Sequence, residues 1–140
     1  MRTLFIVRGL PGSGKTTMAY ALARGLLTYP PCEADQYFIN DYGDYVFKPE
    51  LLGLAHKECQ RRIEEILAQG QFPAIVSNTF TTMREMVPYL RLAEKYGYKV
   101  QVIECKGNFG SIHNVPAATL LSMQARWQEF NLRNYDEMAS

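Results

Sequence analysis

The segment Gly9-Leu-Pro11-Gly12-Ser13-Gly14-Lys15-Thr16 constrains the fold of this chain more than any other stretch. It satisfies the pattern G-x-x-x-x-G-K-[ST], and it stands between a short apolar run, residues 3–8 (TLFIVR), and a helical apolar pattern over residues 15–27. The apolar run suits a strand buried on both faces of a parallel sheet. Glycines let the following loop curl so that successive backbone N–H groups point inward, and the helix beginning near Lys15 adds the positive end of its dipole. The product is a cradle for phosphate. Gly9, Pro11, Gly12, Ser13, Gly14, Lys15, Thr16 and Thr17 are its candidate residues, with the Lys15 ammonium reaching the β- and γ-phosphates and the Thr16 hydroxyl placed to ligate Mg²⁺. A dinucleotide-binding turn fits less well, because Thr17 stands where G-x-G-x-x-G requires its third glycine.

The rest of the chain continues the alternation. In residues 15–27 the apolar positions Met18, Ala21, Leu22 and Leu26 recur at helical spacing until Tyr29-Pro30-Pro31 breaks the pattern. Residues 32–34 are a candidate second, very short strand. Over residues 50–69, Ala55, Cys59, Ile63, Ile66 and Leu67 share one helical face, and Gly70 ends the helix. Residues 74–77 read as a buried strand. Thr82 and Glu85 have capping-box form for a further helix, in which Pro88 should remove one backbone hydrogen bond and bend the axis. Residues 99–104 (KVQVIE) are a last strand, and Leu120, Met123, Trp127 and Phe130 mark a last helix after Pro116. Strands alternating with helices predict an α/β fold: a parallel sheet of about four strands with helices on both faces.

Composition narrows the function classes. At 140 residues with 47% hydrophobic and 21% charged side chains, the chain is expected to form one domain, 1–140, with no linker or repeat dividing it. Its three cysteines, Cys32, Cys59 and Cys105, make neither a disulfide framework nor a C-x-x-C zinc half-site. With no apolar run long enough for a signal peptide or a membrane span, the expected setting is cytoplasmic, with no membrane partner. The net charge of +1 provides no general attraction to polyanions, so a nucleic-acid substrate would have to be held by a local site.

A phosphate cradle does not say what happens to the phosphate; nearby acids and bases decide that. Asp35 is the leading candidate for a catalytic base. It follows the short second strand at the sheet edge where ligands of parallel sheets lie, and there it can accept the proton of a substrate hydroxyl or hold water on Mg²⁺. Glu33, Asp41 and Asp44 compete for that role. The buried strand 74–77 leads into Ser77-Asn78-Thr79, whose neutral oxygens stand where such sites usually carry an acid, which argues against a vigorous ATPase motor. His56 and Trp127 read as packing residues, and Arg61, Arg62 and Arg84 as solvated helix charges. His56 and His113, the only histidines, lack metal-ligand spacing.

The cradle, the residues around Asp35 and three later strings together resemble the phage-type polynucleotide 5′-kinase domain and related P-loop kinases, among them the kinase-like domain of the Nedd4-binding proteins. The strings are Tyr45-Val-Phe47-Lys-Pro49-Glu50 with Ala55-His56; Ile75-Val-Ser77-Asn78-Thr79 with Glu85-Met86-Val-Pro88-Tyr89; and Tyr96-Gly97-Tyr98-Lys99-Val100 with His113-Asn114-Val115-Pro116. The resemblance implies the P-loop kinase fold, ATP and Mg²⁺ as cofactors, Lys15 and Asp35 as catalytic residues, Thr16 on the metal, and a 5′-hydroxyl nucleic acid or nucleoside as acceptor. The chain departs from the family at two places. Between Glu104 and His113 it has no arginine, Gly110 standing where the family's lid carries one, and Phe38 lies near a position where nucleic-acid kinases use a basic residue.

Overall fold

The computed structural model describes residues 1–109 and 115–133. Three parallel strands, β1 (Thr3–Arg8), β2 (Ala74–Asn78) and β3 (Lys99–Glu104), lie in the order β2-β1-β3, with Leu4 beside Ala74 and Thr3 beside Lys99. The expected fourth strand at residues 32–34 is reduced to one parallel bridge, Cys32 to Val76, on the outer side of β2. The reason is local: after that single bridge the chain turns into a 3₁₀ helix, Ala34–Phe38.

Strand alternation divides the core into two layers. Phe5, Val7 and Ile75 face α1 (Lys15–Leu26), while Leu4, Ile6, Ala74 and Val76 face α2 (Leu52–Gln69) and α3 (Met83–Tyr96). Helices therefore cover both faces of the sheet. The buried face of α2 is the expected one, Ala55, Cys59, Ile63, Ile66 and Leu67, closed by Gly70 at φ 67°. The face of α1 is rotated from the expected one. Its fully buried residues are Ala19 and Ala23, flanked by partly buried Leu22 and Leu26, whereas Met18 and Ala21 are exposed. Two alanines at i, i+4 put the least bulk between helix and sheet, so packing distance rather than hydrophobicity sets the orientation.

α3 runs through Pro88 without interruption, capped by the Thr82 hydroxyl, which accepts from the Glu85 N–H. Glu85 does not return the bond to Thr82 as a capping box would. Its carboxylate accepts from the N–H and hydroxyl of Thr81, one residue earlier. Helix α4 (Ala117–Arg126) ends before Trp127, so Trp127 and Phe130 do not extend its apolar stripe, and no residue of α4 is buried.

Trp127 instead covers a buried charge. Arg8, the final residue of β1, is fully buried, with its guanidinium 3.9 Å from the Trp127 ring centroid. Its Nε and Nη2 donate to the Phe80 carbonyl at 3.1 and 2.7 Å, Nη2 donates to the Gln128 carbonyl at 2.6 Å, and Nη1 lies 3.6 Å from Glu104. Burial lowers the pKa of Arg8, and Glu104 opposes that shift most. The double bond to its carbonyl accompanies a left-handed Phe80 at φ 48°, an unfavourable backbone for a bulky residue. Arg8→Met should lower stability by about 3–5 kcal/mol, because it strands the buried Phe80 carbonyl, the part-buried Gln128 carbonyl and one half of an ion pair at once. Urea unfolding monitored by far-UV circular dichroism measures this; a loss below 1 kcal/mol contradicts it.

Candidate functional site

The phosphate loop leaves β1 at Gly9, whose N–H donates to the Thr79 carbonyl at 3.3 Å and pins the loop to the end of β2. Gly9 has no room for a side chain: a Cβ there would stand 2.2 Å from the Ser13 hydroxyl and 2.8 Å from the Cys105 carbonyl. Gly14, at φ 90°, provides the left-handed residue that opens α1 without a side-chain cap. The first N–H groups of α1 are therefore left for a ligand rather than spent on a capping side chain. On the outside of the loop, the segment after β3 runs alongside: Gly107 and Phe109 donate their N–H groups to the carbonyls of Ser13 and Gly12. With its carbonyls engaged outward, the loop is held in the curled form a phosphate requires.

Lys15 is half-buried. Burial lowers its pKa, while Asp35 and then Glu33 act to raise it, so both carboxylates act on the same ammonium. Asp41 and Asp44 lie in an exposed turn farther along, while Asp35 and Glu33 are the carboxylates that act on Lys15. Thr16 donates its hydroxyl to Glu33 Oε1 at 3.0 Å. A hydroxyl and a carboxylate oxygen this close form the hard-oxygen donor set that Mg²⁺ takes, so the residues present fit that cation. Tyr45 donates its phenol to Asp35 Oδ1 at 3.5 Å, and burial, ahead of that carboxylate, pushes the Tyr45 pKa up to about 12. Ser13 is buried in the loop, Thr17 is exposed on the first turn of α1, and Pro11 and Gly12 are half-buried at the loop's bend.

Two positioning residues escaped sequence reasoning. Asn78 does more than stand in for an absent acid: its Oδ1 accepts the Ala34 N–H at 2.8 Å, clamping the residue between Glu33 and Asp35 to the end of β2. Arg62 is not a solvated helix charge. It donates to the Glu33 carbonyl at 3.1 Å and to Gln36 Oε1, tying α2 to the same segment. Its position one residue before Ile63, on the flank of the buried face, was the only available hint. Arg61 does meet expectation, exposed and paired with Glu58 and Glu65 along the helix. Arg84 is exposed as expected, and His56 is half-buried. Phe38 is buried core, so the family's basic residue has no counterpart there. Lys106 is paired with Glu104 at 3.5 Å; Gly110 and His113 lie outside the described residues.

Asn78→Ala should free the Ala34 amide while leaving the sheet intact. Hydrogen exchange at Ala34 should accelerate at least ~10-fold and stability fall by about 1–3 kcal/mol, with Asn78→Asp, which keeps an acceptor, losing less. Unchanged exchange at Ala34 in Asn78→Ala would remove the clamp.

Comparison with known proteins gives this geometry a context. The chain is 38% identical over 97 residues to human NEDD4-binding protein 2, an alignment covering 69% of this chain and 5% of that protein. Its fold matches a chain of the Pnkp1/Rnl/Hen1 RNA repair complex with a TM-score of 0.58 at 19% identity, covering 97% of this chain and 42% of that one. A gluconokinase from Sinorhizobium meliloti 1021 superposes with a TM-score of 0.59 at 15% identity, over 91% and 76% of the two chains. The chain thus spans a small part of the human relative and less than half of the RNA repair chain. Residues 4–108, from the first buried strand to the segment that flanks the phosphate loop, match the family described as AAA domain, and the chain belongs to that family with the fold of the P-loop kinases.

Proposed function

We propose that this domain is a kinase that moves the γ-phosphoryl group of ATP to a hydroxyl acceptor, with the 5′-hydroxyl of a polynucleotide as that acceptor. The observation that carries the reading is the acidic segment beside the loop: Glu33 accepts the Thr16 hydroxyl at 3.0 Å, and Asp35, two residues on, acts with it on the half-buried Lys15. An NTPase needs only a cradle and a placed water, whereas a second carboxylate beside the cradle supplies a base for an acceptor. Support for a nucleic-acid acceptor comes from the RNA repair complex among the fold's relatives; the gluconokinase keeps a small-metabolite acceptor as the second reading.

In this reading the loop N–H groups and the start of α1 hold the β-phosphate, and Lys15 meets charge on the β- and γ-phosphate oxygens. Thr16, with Glu33 beside it, would hold Mg²⁺, which neutralises phosphate charge when bound. Asp35 accepts the acceptor's hydroxyl proton as the acceptor oxygen bonds to the γ-phosphorus and the bond to the β-phosphate oxygen breaks, leaving ADP. The Tyr45 phenol, kept protonated, orients the Asp35 carboxylate. Lid arginines that meet the transferring phosphoryl group are worth ~10³- to 10⁵-fold in rate, and residues 105–113 contain none. Arg126 is held by Thr81 and Ser122, so it is not poised as a ready substitute. Turnover should therefore fall below the usual ~1–100 s⁻¹ of kinases.

Lys15→Ala should abolish the rise in melting temperature that ATP-Mg²⁺ produces while leaving the unliganded melting temperature unchanged; wild-type protein that shows no such rise excludes nucleotide binding. Asp35→Asn should keep ATP affinity within a few-fold and lower transfer by roughly 10²- to 10⁴-fold. Transfer of radiolabelled phosphate to 5′-hydroxyl oligonucleotides, nucleosides and sugars measures it and identifies the acceptor. An unchanged rate would move the base elsewhere, and a large loss of ATP affinity would place Asp35 on the metal.

A further inference from the structure

Beyond Asp35 the chain forms a small rigid hairpin. Ile39 bridges Tyr45, Val46 N–H donates to the Phe38 carbonyl at 2.8 Å, and Asn40 Oδ1 closes the turn by accepting from Tyr42 and Asp44. The hairpin is aromatic. Buried Phe38 anchors it, with Tyr37, Tyr45 and Phe47 packed edge-on around that ring at centroid distances of 5.7, 6.2 and 5.0 Å. Phe47 and Tyr45 are near-parallel, 7° apart. Yet much of this aromatic surface is turned outward: Phe47 is 47% exposed, Tyr37 40% and Tyr42 90%. Ring faces held rigid and left in water have little entropy to lose when another ring stacks on them. The platform is continuous with the candidate site, since Tyr45 touches Asp35 with its hydroxyl and lies beside Phe47 with its ring.

Charge selects the occupant. Across the hairpin itself, residues 37–48, the acids are Asp41 and Asp44, both exposed, against the single cation Lys48. Such a surface repels a phosphate backbone and accepts an uncharged planar ring. We infer that the hairpin face bearing Tyr37 and Phe47 is a stacking platform for the terminal nucleobase of the acceptor, so that the acceptor is held by its base and not by its phosphates. This rests on the kinase reading with a nucleic-acid acceptor, and it deepens that reading by assigning recognition to the first nucleotide.

Binding without ATP separates this inference from catalysis. Fluorescence anisotropy of a 3′-labelled single-stranded hexanucleotide with a 5′-hydroxyl should show roughly 5- to 100-fold weaker binding when the first nucleotide is abasic, the range expected of one lost base stack. Phe47→Ala should weaken the intact oligonucleotide by a similar factor and leave the abasic one unchanged. Phe47→Leu, which keeps the apolar contact with Phe38, should share that loss, while Phe47→Trp restores affinity. The slope of log affinity against log salt should be shallower than about −1.4, the value for two phosphate contacts on a single strand. Equal affinity for intact and abasic ends, wild-type affinity in Phe47→Ala or Phe47→Leu, a steeper salt slope, or no binding of the hexanucleotide each overturns the platform. The kinase reading is judged separately, by ATP-dependent transfer to any hydroxyl acceptor and its loss in Asp35→Asn.

Discussion

A single buried guanidinium organises the end of the sheet on which the candidate site is built. Arg8 closes β1, and the next residue opens the phosphate loop. From that position its side chain reaches the carbonyl of Phe80 after β2, the carboxylate of Glu104 at the end of β3, and the chain leaving α4 at Gln128. An arginine with no solvent exposure is tolerable only when acceptors gather round it; Nε and Nη2 find carbonyls, Nη1 has the Glu104 carboxylate at 3.6 Å, and three separate segments must come to it. The burial of one charge thus correlates the ends of all three strands. Trp127, whose ring lies over the guanidinium carbon, completes the enclosure and gives α4, which buries nothing of its own, a reason to dock.

From that edge the site follows by short links. Gly9 is bonded to Thr79, the residue next to Asn78, which clamps Ala34, and Ala34 separates the two carboxylates that act on Lys15. The phosphate loop and the acidic segment come from opposite sides of β2, yet both are referenced to the same few residues at its end. The absence of an acid at the end of β2 has a structural counterpart. An amide there can accept the Ala34 N–H with its oxygen and donate toward Cys59 with its nitrogen, at 3.8 Å. A carboxylate could only accept.

The hairpin beyond Asp35 shows how a surface can be specific without general charge. Net charge near zero leaves no field to collect polyanions, and the acids of the hairpin make the local field unfavourable to them. What remains attractive to an uncharged planar group is the aromatic surface, which acts at contact.

Much of the architecture was legible in the chain itself. The loop pattern between a buried run and a helix, the apolar face of α2 and the strand 99–104 follow from periodicity and from glycine's freedom at the turns, because these are local properties that a short window contains. The α/β alternation followed from them. Three things required the tertiary structure. The fourth strand shrank to one bridge because a 3₁₀ turn, stapled by Asn78 from 44 residues away, claims the backbone after Cys32. The orientation of α1 was decided by how closely Ala19 and Ala23 let it approach the sheet, which no moment of the isolated helix expresses. Arg8, Arg62 and Trp127 looked like a strand end, a solvated charge and a core residue, whereas their roles are set by partners 120, 29 and 119 positions distant in sequence. Sequence patterns report which way a residue faces along its own element; whether a polar group placed there is satisfied depends on what the fold brings opposite it.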